Sequence, residues 1–519
     1  MSLAVASSGR RRDAGPPLWL LLAAALPTLL IALPLAYVAA RAWSAGLAVA
    51  VEEIFRARTA ELLVNTVTLA VSVTVLSAVI GVATAWCVER SDLPGLRWWR
   101  VIAALPLAVP AFVASFAWAS MGAAFQTMGG AILILALSHY PLVYLPVAAA
   151  LRGMDPGFED VSRSLGRGPW AAFFSATLPQ AWPALGAGSL LVLTHMFAEF
   201  GALSLLRVQT FTTAIFDSYE LEFDGATAAL QSAVLLALAL PAALGEMRLR
   251  RDMRFARSGK GGRRRAPPAR LGRAKAPVLG AMAALAALSL GAPLAMLAYW
   301  LLVGRSIGHA SHDLWPAVVG TLGLAVPGAI VVTALASPLA IAATRHRGML
   351  SALAEKLPYV VHGLPGLVVA LALVFFSIRF FPAAYQTAGL LFAAYAVLFL
   401  PLAQSALRAS LELAPARLEE VARSLGRGPF GAFAAVTLPN VLPGVGGALA
   451  LITLELAREL TATLMLAPIG VSTLATEVWS QANDGRYAAA APFAALLVAV
   501  SAIPVYVFTR RSLELNDLR

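Results

Sequence analysis

Two glutamates sit where acids are costly. Glu199 and Glu459 each interrupt an apolar run, and an ionisable side chain at membrane depth normally faces a bundle interior or a water-filled path. Their carboxylates are hard oxygen donors of the kind that divalent cations take. Two readings stand: ligands along a transport pathway, or acids held structurally, with Arg458 and Glu455 close to Glu459. Asp217, Tyr219, Glu220, Glu222 and Asp224 supply further oxygens, and read as a solvated face, as a docking surface for a binding protein, or as ligands. His309 and His312 are spaced for one helical face but have no acidic neighbour beyond Asp313, so the six histidines make no metal site. Nor can the chain hydrolyse a nucleotide. Its three lysines, Lys260, Lys275 and Lys356, are followed by Gly261, Ala276 and Leu357, and none completes the Gly-Lys-Ser/Thr of a phosphate loop. No catalytic motif appears, so neither an enzyme nor a bound cofactor is expected.

The elements that must position these residues are membrane spans. The 519 residues are 60% hydrophobic and 13% charged, whereas soluble domains carry about 25% charged residues. Pro16 to Ala40 is free of charge, which is long enough for a span of roughly 20 residues and longer than the roughly 7–15 apolar residues of a cleaved signal peptide. Apolar runs centre near Leu30, Val75, Ala111, Leu142, Leu191 and Leu236, then near Leu285, Ile330, Val368, Ala394, Ile452 and Val498. The expectation is an all-α integral membrane protein with about twelve transmembrane helices. The single cysteine, Cys87, excludes an internal disulfide framework.

Charge sets the sidedness. Of the net charge of +12, the segment from Met247 to Lys275 supplies nearly all, with twelve basic residues against Asp252 alone. Rich in Gly and Pro and without helical period, it reads as a cytoplasmic linker obeying the positive-inside rule, placed to touch anionic lipid headgroups, and not as a nucleic-acid patch. Arg10 to Arg12, Arg90 to Arg100, Arg152 to Arg167, Arg345 to Lys356, Arg408 to Arg427 and Arg510–Arg511 fall on the same side, which places both termini in the cytoplasm.

A polar motif occurs twice on that side. EDVSRSLGRGPWAAFFSATLP runs from Glu159 to Pro179 and EEVARSLGRGPFGAFAAVTLP from Glu419 to Pro439, with 14 of 21 positions identical. In each, a short helix with an acid in its first turn suits the helix dipole. Gly166 or Gly426 can adopt the left-handed conformation that ends it, and Pro169 or Pro429 opens a second helix. Trp170, Phe173, Phe174 and Thr177 share a packing face, and Pro179 or Pro439 is expected to stop that helix. Six spans lie between the copies, and the offset of 260 also pairs Pro141 with Pro401, Glu199 with Glu459, Thr213 with Thr473 and Asp224 with Asp484. Upstream the offset is 255, pairing Thr66 with Thr321. The chain is therefore expected to be two parallel six-helix repeats.

An acid, a glycine seven residues on and an apolar stretch ending in Leu-Pro resembles the coupling loop of type I ABC importer permeases, although Asp160-Val161 and Glu420-Val421 replace the family's two alanines. The resemblance implies that Glu159, Gly166, Pro169, Pro179, Glu419, Gly426, Pro429 and Pro439 form two coupling sites for two cytoplasmic ATP-hydrolysing subunits. The stretches AEFGALSLLRVQTFTTAIF and RELTATLMLAPIGVSTLATEVW resemble the fused permeases of ferric-iron importers, which work with a periplasmic substrate-binding protein; thiamine, phosphonate and polyamine permeases share much of the architecture. An ion-coupled secondary transporter is the rival from another class, disfavoured by the duplicated loop. On this reading residues 1–60 hold the first span, 61–246 the first permease repeat and 247–275 the basic linker. Residues 276–314 hold the first span of the second half and an outer loop, 315–511 the second repeat and 512–519 a tail.

Overall fold

The computed structural model describes residues 17–154, 157–256, 268–306, 314–346, 352–354, 363–412, 414 and 416–517. Among them nine helices are long and apolar enough to cross a membrane, and a bent pair, Leu96–Ala108 with Ala111–Ala119, makes a tenth if counted as one span. Two shorter apolar helices, Gly366–Phe380 and Tyr487–Ala502, occupy the remaining two expected centres. His309 and His312 lie outside the described residues.

Each repeat is built on three mutually packed helices. In the first they are Ala57–Arg90, Met128–Gly153 and Leu178–Ala198; in the second, Leu314–Arg345, Ala388–Glu412 and Leu438–Ala457. Lipid offers no hydrophobic drive between helices, so close approach depends on small residues at the contacts. Gly81 shows this: a Cβ there would lie 2.8 Å from the Val143 side chain, so the first two helices meet where one has no side chain. The amino-terminal helix Leu18–Ala45 packs across the halves, against Gly225–Ala256 of the first and against Leu314–Arg345 and Gly366–Phe380 of the second.

Three expectations need correcting. Pro179 and Pro439 do not stop their helices, because Trp170–Ala198 and Phe430–Ala457 run through them as spans. A π-helical turn precedes each proline, at Phe173–Thr177 and Phe433–Thr437. Its wider i→i+5 spacing accommodates a residue that lacks an N–H and would clash with the carbonyl four residues back. Second, Glu199 and Glu459 do not interrupt spans; each lies at the end of one, directly after Ala198 and two residues beyond Ala457. Third, the basic segment is helical at its start, since Gly225–Ala256 continues past Met247.

Candidate functional site

The two polar motifs fold alike. Gly157–Ser164 and Ala416–Ser424 are short helices, ended by Gly166 at φ +83° and Gly426 at φ +86°. The Gly166 N–H donates to the Arg163 carbonyl (2.9 Å) and the Arg167 N–H to that of Ser162 (3.3 Å). Gly426 and Arg427 repeat the pair on Arg423 (3.0 Å) and Ala422 (3.2 Å). These two bonds are the Schellman closure, which satisfies the last carbonyls of a helix and needs a left-handed residue at its turn. Pro169 and Pro429 then open the second helices as expected.

Glu159 and Glu419 point back into their own repeat. Thr177 donates to Glu159 Oε2 (3.2 Å), Arg163 to Oε1 (2.6 Å), and Arg90 lies 3.7 Å away. Thr437 donates to Glu419, and Arg345 pairs with it at 3.1 Å while also donating to the Ala414 carbonyl (2.9 Å). Arg90 and Arg345 are the last residues of equivalent core helices. Each glutamate thus latches the short helix to the π-turn and to the end of a core helix. The arginines and threonines were not singled out in this role; the 255 offset that pairs Thr66 with Thr321 also pairs Arg90 with Arg345, and was the available signal.

The faces left uncovered are apolar. Phe158, Val161, Leu165, Trp170 and Phe174 are exposed in the first loop, and Leu418, Val421, Leu425 and Phe430 in the second, Phe430 at 83%. A contiguous exposed apolar patch of this kind marks an interaction surface.

Glu199 and Glu459 cap the short helices that follow them. Glu199 Oε1 accepts the Ala202 N–H (2.9 Å); Glu459 accepts the N–H groups of Ala462 (2.8 Å) and Thr463 (2.9 Å) and the Thr463 hydroxyl (2.6 Å). Arg458 pairs with Glu455 (3.0 Å) and reaches the Leu107 carbonyl of the first repeat (3.4 Å). The repeats meet at this level. Phe200 lies tilted against Trp479 and Phe216 meets it edge-on, and the Trp479 indole N–H donates to Ser204 Oγ (3.3 Å). Thr66 accepts the Phe211 N–H (3.1 Å) and Thr321 the Leu474 N–H (2.8 Å), so the structural partner of Thr473 is Thr210, not Thr213. The second repeat carries three more residues before this turn and fewer after it. Asp224 caps the next helix through Ala226 and Thr227, and Asp217 accepts from Gln209 (3.3 Å), so both serve local structure. His139 and His195, which the sequence reading passed over, place their rings 6.0 Å apart, each Nδ1–H donating to the carbonyl four residues back. Among the described residues no three His, Cys, Asp or Glu side chains converge as for a metal ion.

The family model for the binding-protein-dependent transport system inner membrane component matches the chain twice, over residues 77–251 and 336–517. The chain belongs to this family. It is 43% identical over 498 residues to the Fe(3+)-transport system permease protein FbpB 2 of Haemophilus influenzae, covering 95% of this chain and 98% of that protein. Shorter likenesses are to the molybdenum transport system permease protein ModB of Escherichia coli (30% over 139 residues, 24% of this chain and 60% of that protein) and to the sulfate transport system permease protein CysT of the same organism (27% over 187 residues, 32% and 67%). The chain is thus a two-repeat, multi-pass ABC permease of the inner membrane, similar to transport permeases and not to enzymes.

Proposed function

We propose that this permease carries ferric iron, delivered by a periplasmic substrate-binding protein and driven by two cytoplasmic ATP-hydrolysing subunits. The observation that carries the iron reading is the 43% identity to a Fe(3+)-transport permease across nearly the full length of both chains; the molybdenum and sulfate permeases match 24% and 32% of this chain. The two exposed apolar faces, one per repeat, support two ATPase docking points centred on Gly166 and Gly426. Both loops and both termini then face the cytoplasm, as the basic residues favour, and the linker of 247–275 divides the two permease repeats. Glu199 and Glu459 shape the turn where the repeats meet and so hold the pathway walls, with Glu199 Oε1 and both Glu459 oxygens accepting backbone N–H groups.

The test is uptake into proteoliposomes holding the chain, its ATPase and its binding protein. ATP-dependent accumulation of radioactive iron(III), undisturbed by excess sulfate, molybdate or thiamine, is expected. Uptake driven by an ion gradient without ATP would overturn the importer reading, and ATP-driven uptake of one of the competitors in place of iron would overturn the substrate.

A further inference from the structure

The basic linker returns to the first loop. After the Ala57–Arg90 helix ends, Ser91 bridges to Ala269. The Ala269 N–H donates to the Arg90 carbonyl (2.7 Å) and the Asp92 N–H to the Ala269 carbonyl (3.1 Å). Asp92 then accepts the Leu271 N–H (2.9 Å) and pairs with Lys275 (2.9 Å). This strap closes one side of a cleft of about 230 Å³. The rest of its wall is the end of that core helix and the coupling loop.

The cleft is cationic and aromatic. Arg90, Arg163 and Arg270 line it with Glu159, Trp86 and Trp170, an excess of two positive charges. Arg163 is held by Glu159 at 2.6 Å. Arg90 is not fully used: it is 8% exposed, and among the described residues its one ion pair is long at 3.7 Å and its Nε–H has no hydrogen-bond partner. A buried guanidinium donor without an acceptor costs free energy, and an oxyanion would supply the acceptor in the geometry that guanidinium groups match. Trp86 and Trp170 stack at 5.6 Å beside it, and tryptophan is the residue of the membrane–water boundary. The equivalents in the second repeat are Ile341 and Phe430, and the strap has no counterpart there among the described residues.

We propose that this cleft is a phosphate-group site, filled by the headgroup of an anionic phospholipid. The charge of the lining selects a net anionic headgroup over a zwitterionic one, and the position at the end of a span puts it within reach of the bilayer surface. Bound there, the headgroup bridges Arg90 of the core helix, Arg163 of the coupling loop and Arg270 of the strap. Headgroup binding here is read independently of the transported substrate.

The experiment is native mass spectrometry of the delipidated full chain, titrated with phosphatidylglycerol, phosphatidylcholine or inorganic phosphate. Phosphatidylglycerol should bind more tightly than phosphatidylcholine and be displaced by inorganic phosphate. Arg270→Ala removes one charge-assisted contact and should weaken phosphatidylglycerol roughly tenfold; Arg273→Ala, which removes the same charge from the strap outside the cleft, should leave it unchanged. Equal binding of phosphatidylglycerol by wild type and Arg270→Ala overturns the site. Inorganic phosphate that binds in an Arg270-dependent way, with phosphatidylglycerol failing to bind, overturns the lipid as occupant.

Discussion

Replacing Gly166 and Gly426 tests the coupling loops without touching any contact. A Cβ added at either position meets nothing within 4 Å, so the whole effect of alanine is conformational: φ of +83° and +86° lies in the left-handed region, where an ordinary L-residue costs roughly 1–2 kcal/mol. Alanine also favours continuing the short helix through the turn, which would swing Pro169 or Pro429 away from its place. If the docked ATPase requires the turn as seen, a cost of about 1 kcal/mol per loop lowers its affinity about fivefold for one change and roughly thirtyfold for both. Asparagine tolerates the left-handed region better and should lose less; proline, fixed near φ −65°, should lose most. The assay is ATPase binding to detergent-solubilised chain, with stimulated ATP hydrolysis as a second readout. Equal losses for alanine and asparagine, or wild-type binding by the double alanine variant, would refute the argument that this turn presents the docking face.

Other expectations follow from single contacts. Thr177→Val or Thr437→Val removes one hydrogen bond to a glutamate and should loosen its loop by about 1.5 kcal/mol, seen as faster hydrogen exchange in Gly157–Ser164 or Ala416–Ser424 with the spans unchanged. Thr321→Val leaves the buried Leu474 N–H without its acceptor and should cost about 1–3 kcal/mol, read as a lower melting temperature, whereas Thr321→Ser should be nearly silent. The hydrogen bond from the Leu271 N–H, with Lys275 beside it, holds the Asp92 carboxyl below the usual carboxylate range. A depressed pKa stabilises the strap above the unfolded value of about 4 and releases it as pH falls below that, so exchange of the Leu271 amide should rise only in acid and Asp92→Asn should abolish the dependence.

Local chemistry made much of this legible, and distance hid the rest. The Gly166 and Gly426 turns were readable because a glycine after a short amphipathic stretch has one good use. The span centres were readable from apolar runs alone, including the bent pair around Ala111. The latch was not, because Arg345 lies 74 residues before Glu419 and only packing brings them together. Pro179 was misread because the π-turn that tolerates it leaves no residue signature. Counting in steps of 260 paired Thr213 with Thr473, although the capping Thr210 is the true partner; a compensated insertion is invisible where apolar residues fill both sides. The strap, held by backbone bonds from a segment rich in Gly and Pro, has no periodicity to read.

The absence of a break at Pro179 has a mechanical consequence. Trp170–Ala198 is one rod of 29 residues, about 43 Å long at 1.5 Å per residue. A tilt of five degrees at its foot would carry the far tip, where Glu199 organises the meeting of the two halves, by about 4 Å. The helix is continuous through its π-turn at Phe173–Thr177 and through Pro179 and Pro183, the places where such a shaft would bend. A small displacement at the foot becomes a larger one where the two repeats meet.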